Sequence, residues 1–120
     1  MNKHKGFPIY QPMMAYRGDA WEKVFRFIAK HPDTGESYLL DLTGFTVRFQ
    51  VRENVDSTVV LTAAPCTVSD TGVTVRIDKS VTATYPHGAT WRYDLELTDP
   101  SGRPKTMFYG PFDVQGDVTR

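Results

Sequence analysis

The chain has 120 residues and a formal net charge of zero, since 14 Lys and Arg residues balance 14 Asp and Glu residues. This balance excludes a strong overall field that would favour nucleic acid or an anionic membrane as a partner. No stretch reaches the ~18 consecutive apolar residues of a membrane span, and the first residues lack the apolar run of a secretory signal. We expect one domain, stabilised by packing and made in the cytosol.

Residues 1–19 are predicted to form an extended N-terminal arm, followed by a domain over residues 20–120. The arm shows neither helical nor strand periodicity, yet it is too apolar for a solvated tail. Two interpretations stay open: the arm packs along its own domain, or it orders on contact with a neighbouring subunit. The candidate subunit-contact residues are Phe7, Ile9, Tyr10, Met13, Met14 and Tyr16.

The first half of the domain alternates apolar and polar residues, which predicts strands. Residues 20–29 and 45–52 each place their large apolar side chains at one parity. The sequence at 31–35, His-Pro-Asp-Thr-Gly, favours a turn. Asp41 to Gly44 predicts a tight corner, because Asp and Thr can bond local backbone amides and Gly permits the sharp turn.

The second half begins with two further strands, over residues 58–62 and 73–77, where β-branched residues dominate. Ala63 to Pro65 is expected to end the first of them, and residues 67–71 form a loop or a weak strand. Residues 79–85 predict a single helical turn with Ser80 as its N-cap, ended by Pro86.

The central strand is predicted at residues 91–98, where Trp, Tyr and two Leu residues alternate with Arg, Asp, Glu and Thr. Asp99 to Gly102 favours a type I or II turn and a hairpin. Residues 105–109 pair back, Gly110-Pro111 kinks the strand or ends its hydrogen bonding on one side, and residues 112–114 resume the alternation. About seven strands with frequent turns predict an all-β fold, an antiparallel immunoglobulin-like β-sandwich.

No residue pattern indicates a catalytic or metal site. The three histidines lack ligand spacing, and we expect solvated positions for His4, His31 and His87. Asp94 and Glu96 share one face of the central strand, where an ion ladder with Arg48, Arg52 or Arg76 is favoured over a catalytic carboxylate pair. Cys66 has no second Cys for a disulfide and no activating base. We therefore expect no enzymatic activity and no cofactor or metal.

Two other groups of side chains were considered as binding surfaces. Five aromatic residues fit core packing better than a sugar-stacking platform, because most have inward parity: Trp21, Tyr85, Trp91, Tyr93 and Tyr109. Four arginines have outward parity, which indicates a mixed solvated or subunit-contacting face: Arg48, Arg52, Arg76 and Arg92.

The order of several short motifs resembles that of small β-sandwich proteins of tailed bacteriophages and prophages. The motifs are Arg17-Gly18-Asp19, Asp41-Leu42-Thr43-Gly44-Phe45 leading to Arg48, Gln50, Val51 and Arg52, Gly72, Thr82-Ala83, Tyr93-Asp94-Leu95-Glu96-Leu97, Ser101-Gly102, Gly110 and Val118-Thr119-Arg120. The series is similar to the N-terminal domain of phage baseplate upper proteins and covers about residues 17–120. The arm at 1–16 is additional to the shared pattern.

The resemblance implies a non-enzymatic virion structural protein that is assembled in the host cytoplasm. It would be a tail or baseplate adaptor subunit, present in several copies, that binds neighbouring subunits through its arm and sheet edges. A homo-oligomer, with a trimer among the options, is expected, and the partners would be other virion proteins of the tail, the baseplate or the major capsid. Alternatives are a capsid decoration protein on the phage head and, more remotely, a carbohydrate-binding module or a small hydrolase. The resemblance implies no catalytic residue, and receptor binding by longer relatives is not carried over.

Overall fold

The computed structural model describes residues 8–53, 60–69, 72–85 and 90–116, with residues 60–62 and 90 described by their backbone alone. These ranges contain eleven strands and one short helix. The strands are β1 (Ile9–Tyr10), β2 (Met13–Tyr16), β3 (Trp21–Arg26), β4 (Ile28–Lys30), β5 (Ser37–Leu39), β6 (Thr46–Arg52), β7 (Val60–Ala64), β8 (Cys66–Val68), β9 (Gly72–Ile77), β10 (Thr90–Thr98) and β11 (Pro104–Gln115). Helix α1 (Lys79–Thr82) lies between β9 and β10.

Two main sheets form the sandwich. Sheet A has the order β1-β11-β10-β6-β7, and β2 also pairs with β11. Sheet B has the order β3-β9-β8, and β4 and β5 form a separate hairpin. Aromatic rings join the sheets: the ring of Phe25 in sheet B lies 5.0 Å from that of Phe108 and 6.4 Å from that of Phe49 in sheet A. The predicted all-β sandwich is confirmed, and the predicted antiparallel pairing holds except where β1 and β2 pair in parallel with β11.

The strands in the described ranges are more numerous than the sequence predicts, although β9, β10 and β11 are longer than predicted. The segment 20–29 is divided at Phe27, whose side chain is fully buried and whose carbonyl accepts a hydrogen bond from the Leu40 N–H at 2.8 Å. At Pro65 the chain leaves sheet A and enters sheet B, so that β7 and β8 belong to opposite layers. The strand predicted at 58–62 therefore extends to Ala64, while residues 58 and 59 lie outside the described ranges.

Strand β10 is central in sheet A, between β11 and β6, as its pattern predicts. Tyr93, Leu95 and Leu97 are 3 %, 0 % and 2 % exposed, and Trp91 is half-buried. The Tyr93 ring stacks on Phe49 with a centroid distance of 5.3 Å. Inward parity is thus confirmed along the strand, and the polar residues between these positions lie on the outer face of sheet A.

Two corners are built as local hydrogen bonding predicts. Asp41 Oδ1 accepts from the Thr43 N–H at 3.0 Å and the Thr43 hydroxyl at 2.7 Å. Gly44 follows with φ +81°, and a Cβ there would lie 3.0 Å from Pro100 Cγ, so the two corners pack together. In the turn between β10 and β11, Asp99 Oδ1 accepts from the Ser101 N–H, the Ser101 hydroxyl and the Arg103 N–H at 2.7–2.9 Å.

The start of helix α1 differs from the prediction. Asp78, and not Ser80, occupies the N-cap position, and no side chain caps the helix. Because the helix begins at Lys79, Ser80 already lies within its first turn. The contact that fixes this helix is made by Thr82, which is fully buried and donates its hydroxyl hydrogen to the Asp19 carbonyl at 2.8 Å. Pro86, the predicted end, lies outside the described ranges.

Replacement of Leu95 by Ala is expected to lower the free energy of unfolding by about 2–5 kcal/mol, because a fully buried side chain in the central strand leaves a cavity. Chemical denaturation followed by tryptophan fluorescence measures this loss. Leu39→Ala is the matched control, since Leu39 is 44 % exposed, and its effect should stay within about 0.5 kcal/mol. Equal effects of the two variants would contradict the inward position of Leu95.

Replacement of Asp99 by Ala is expected to lower the melting temperature at pH 7. Hydrogen bonds from the Ser101 side chain and the Arg103 backbone lower the pKa of Asp99 in the folded protein. Because the pKa of Asp99 is lower in the folded than in the unfolded protein, the ionised carboxylate stabilises the fold at pH values above the ordinary carboxyl pKa. This stabilisation is lost as the pH falls through the pKa of Asp99 in the folded protein. The difference in melting temperature between wild type and Asp99→Ala should therefore become smaller as the pH is lowered. The control is Asp33→Ala, in the exposed turn before β5, whose melting temperature should stay close to that of wild type at every pH tested.

Candidate interaction surface

The described part of the arm is seated on strand β11 of its own domain. Ile9 and Tyr10 pair in parallel with Phe108 and Tyr109, and residues 13–16 pair in parallel with residues 112–115. The arm was expected to contain no secondary structure, but it contains two short strands, β1 and β2. Strands this short give no recognisable periodicity, and their parallel partner lies at the other end of the sequence.

The register separates the six candidate contact residues. Met13 is 8 % exposed and belongs to the core, opposite Phe112. The side chains of Ile9, Tyr10, Met14 and Tyr16 are exposed by 37 %, 56 %, 48 % and 43 %. Phe7 lies outside the described ranges. Met13 thus packs on its own domain. For the four exposed residues, contact with a neighbouring subunit remains a proposal.

Three of the exposed arm residues share the outer face of sheet A with one residue of β11. Tyr10, Met14 and Tyr16 are in register with Tyr109, Asp113 and Gln115, which have one parity along β11. Tyr109 is 40 % exposed, and its ring makes an edge contact with Tyr10 at 5.4 Å. We call Tyr10, Met14, Tyr16 and Tyr109 the arm face. Exposed tyrosines and methionine at this density are typical of protein interfaces.

The buried Tyr93 holds the arm by a hydrogen bond to Gln11, which lies between β1 and β2. Gln11 donates its N–H to the Tyr109 carbonyl at 2.9 Å. A continuous parallel ladder would return a bond from residue 111 to the Gln11 carbonyl, but Pro111 has no N–H. The Tyr93 hydroxyl donates to that carbonyl instead, at 2.6 Å. Burial raises the pKa of Tyr93, so the hydroxyl keeps its proton and remains a donor.

Gly110 is required where the arm crosses this part of β11. Its φ is +151°, and a Cβ there would lie 2.9 Å from the Gln11 oxygen, closer than packed atoms tolerate. Gly110 also pairs with Tyr93 across the ladder. Strand β11 continues through Gly110-Pro111. The missing N–H of Pro111 interrupts the hydrogen bonding on the arm side, as predicted, but does not end it, because pairing with the arm resumes at Phe112.

The outward carbonyls of β2 are already occupied. The Trp21 indole N–H donates to the Met14 carbonyl at 3.0 Å, and the Asp19 N–H donates to the Tyr16 carbonyl at 3.2 Å. An added strand would need these acceptors. At β2, the structure therefore favours contact through the face over contact through the sheet edge.

The charged residues of sheet A form an ion ladder only in part. Arg48 pairs with Glu96 at 3.2 Å, as predicted. Arg76 lies in sheet B and pairs with Glu22 at 3.5 Å and Asp78 at 3.6 Å. Asp94 forms no ion pair within the part of the chain that the structure describes. Asp94 and Glu96 are thus close along the strand but differ in their surroundings.

The remaining candidate groups are dispersed. Within the described ranges, His31 stacks on Tyr38 at 4.3 Å in the β4–β5 hairpin, whereas His4 and His87 fall outside those ranges. Cys66 is half-buried, and burial raises the pKa of its thiol. No group of three His, Cys, Asp or Glu residues that could hold a metal ion occurs among the residues described. No described helix has the length and apolar character to cross a membrane.

The hydrogen bonds that hold the arm, made by Gln11, Trp21 and Tyr93, are not predicted by the sequence. Trp21 and Tyr93 were assigned to the core from their parity, which is correct for their rings. The polar ends of such residues usually find a partner when buried, but the sequence does not indicate which one. The one available signal was Gly110-Pro111, which marks a close backbone approach and a missing donor.

The Tyr93→Phe variant is expected to lose about 1–3 kcal/mol of unfolding free energy, because the Gln11 carbonyl loses its donor at a part-buried site. Hydrogen exchange should report faster opening of residues 9–16 in the same variant. Tyr109→Phe serves as the control, since the Tyr109 ring is at the surface, and its stability should change by less than about 0.5 kcal/mol. Equal stability of Tyr93→Phe and wild type would show that the hydroxyl does not hold the arm.

The match to a protein family agrees with the β-sandwich fold. A family model described as "LtfC-like, beta-sandwich domain" matches residues 8–115, which includes the arm strands. No curated protein matches the chain in sequence. A solved structure titled "Structure or murine CRIg" is similar, with 10 % identity and a TM-score of 0.37, over 88 % of this chain and 92 % of that one.

Proposed function

Because the chain belongs to the LtfC-like β-sandwich family, we propose that it is a non-enzymatic structural protein of a phage virion that binds neighbouring subunits through its arm face. The family match supports a phage-related structural domain in general terms. The tail or baseplate adaptor role rests on the motif resemblance, chiefly Asp41 to Phe45 and Tyr93 to Leu97. Both segments build the fold in this chain, the first as a corner and the second as the central strand.

The observation that carries the proposal is the exposure of the arm face. Tyr10, Met14, Tyr16 and Tyr109 remain 40–56 % exposed although the strands that bear them are paired. Fully burying residues of this kind contributes roughly 1.5–3 kcal/mol each, and tyrosine is enriched among the residues that dominate binding. The occupant that we propose is a neighbouring virion subunit, either a second copy of this chain in a homo-oligomer or another tail or baseplate protein.

Removal of the whole arm is a poor test of this proposal. Met13 and Ala15 are 8 % and 2 % exposed and belong to the core cluster, so truncation would also destabilise the sandwich. Substitutions confined to outward positions separate assembly from folding. Met14 and Tyr16 are suitable, because their side chains point away from the core while their backbone pairing with β11 is retained.

The double variant Met14→Ser/Tyr16→Ser is expected to shift the purified protein from an oligomer to a folded monomer. Light scattering measures the mass, and thermal denaturation checks that the melting temperature changes by only a few degrees. The matched control is Ile28→Ser/Leu39→Ser, a cross-strand pair on the β4–β5 hairpin that is 59 % and 44 % exposed. This control should remain oligomeric. A monomeric wild-type protein, or dissociation caused only by the control, would contradict self-association through the arm face.

A further inference from the structure

The outer face of sheet A contains a groove beside the arm, whose surface is mainly apolar but includes several polar and charged side chains. It has a volume of ≈ 440 Å³ and crosses three strands, β6, β10 and β11. The side chains that matter to its chemistry are those of Gln50, Arg52, Arg92, Asp94 and Tyr109. All of them come from adjacent paired strands, so their relative positions are set by the register of the sheet.

Two arginines lie directly opposite each other in this groove. Arg52 of β6 is in register with Arg92 of β10. Like charges at directly opposite positions destabilise a sheet unless an acid compensates them. No carboxylate in the described ranges lies within ion-pair distance of either guanidinium. Arg52 donates from Nη2 to Gln50 Oε1 at 2.6 Å, while its Nε is buried and has no hydrogen-bond partner among those residues.

The next row of the groove supplies an acceptor. Asp94 is in register with Gln50 on one side and with Tyr109 on the other. Its Oδ1 is buried and has no hydrogen-bond partner within the described part of the chain. Glu96, two residues further along the same face, has its counter-ion in Arg48. The charges of Glu96 and Arg48 therefore compensate each other. In the rows of Asp94 and Arg92, by contrast, Arg52 Nε is a donor and Asp94 Oδ1 an acceptor without a hydrogen-bond partner among the described residues.

These groups fit one class of ligand. Two guanidinium groups favour a carboxylate, and an unused carboxylate acceptor favours hydroxyl donors. The exposed Tyr109 ring provides an apolar surface at the side of the groove. The dianion of a phosphate monoester would satisfy the arginines but has no phosphate O–H donor for Asp94, and an acidic peptide could donate to Asp94 only through backbone N–H groups or occasional side chains. A sugar acid carries one carboxylate and several hydroxyl groups, which match both requirements.

We propose that this groove binds a uronic-acid residue of an acidic saccharide. The sugar carboxylate lies between Arg52 and Arg92, ring hydroxyls donate to Asp94 and accept from the Gln50 amide, and the sugar ring packs on Tyr109. The site shares Tyr109 with the arm face, so a neighbouring subunit bound there would compete with the sugar for this ring. The site is distinct from a sugar-stacking platform formed by the five aromatic residues, because Tyr85 and Tyr93 are buried, Trp21 and Trp91 are half-buried against the core, and Tyr109 is exposed.

Isothermal titration of the full chain with tetragalacturonate tests the proposal. Wild type is expected to bind with an affinity that falls at high salt, because screening weakens the contact between arginines and carboxylate. Arg92→Gln should weaken binding at least tenfold. Arg48→Gln is the matched control, since it removes an arginine of the same face whose partner is Glu96, and its affinity should stay within twofold of wild type.

Two control ligands test whether the carboxylate and the sugar hydroxyls are both needed for binding. Maltotetraose has the hydroxyls without the carboxylate, and tetraglutamate has carboxylates without sugar hydroxyls, so both should bind at least tenfold more weakly than tetragalacturonate. The proposal is overturned if wild type does not bind tetragalacturonate at millimolar concentration, if either control ligand binds equally well, or if Arg48→Gln and Arg92→Gln weaken binding alike. If wild type is an oligomer, the titration is made on the Met14→Ser/Tyr16→Ser monomer, in which no neighbouring subunit covers Tyr109, so that absence of binding overturns this proposal and not the arm-face proposal.

Discussion

The sandwich depends on one crossing point, where the arm, strand β11 and strand β10 meet. The Tyr93 hydroxyl donates to Gln11 across a strand that has glycine at 110 and proline at 111. Glycine leaves room for the arm and proline leaves its carbonyl without a backbone donor. Because the same tyrosine ring stacks on Phe49 in the core, the position of the arm is coupled to the packing between the sheets.

This arrangement explains how an apolar terminal segment serves two purposes. Inward residues such as Met13 complete the core, and outward residues such as Tyr16 form a surface. Register alone separates the two sets, since successive residues of a strand point to opposite faces. The hydrogen bonds that Trp21 and Asp19 donate to β2 occupy acceptors which another strand would need, so recognition is directed to side chains.

The sequence correctly predicted turns that are held by local hydrogen bonds and strands with a long alternation of apolar and polar residues. The strand around Leu95, the corner at Asp41 and the turn at Asp99 depend on local pattern or on side chains bonding their own backbone, and all are present. The strands of the arm depend on a partner at the far end of the chain, which periodicity cannot identify. The candidate surface was predicted by composition, but the inward position of Met13 and the opposition of Arg52 and Arg92 follow from register, which one sequence does not specify.

The parallel pairing of β1 with β11 joins the two ends of the described chain, since Ile9 lies opposite Phe108. During synthesis at roughly 5–20 residues per second, the arm leaves the ribosome about 5–20 s before its partner strand exists. Pairing of the arm closes a loop that spans almost the whole domain, and contacts of such high sequence separation are typical of slow-folding all-β topologies. In that interval the arm of one nascent chain can pair with the completed β11 of another, so exchange of arms between copies is the expected misassembly at high expression.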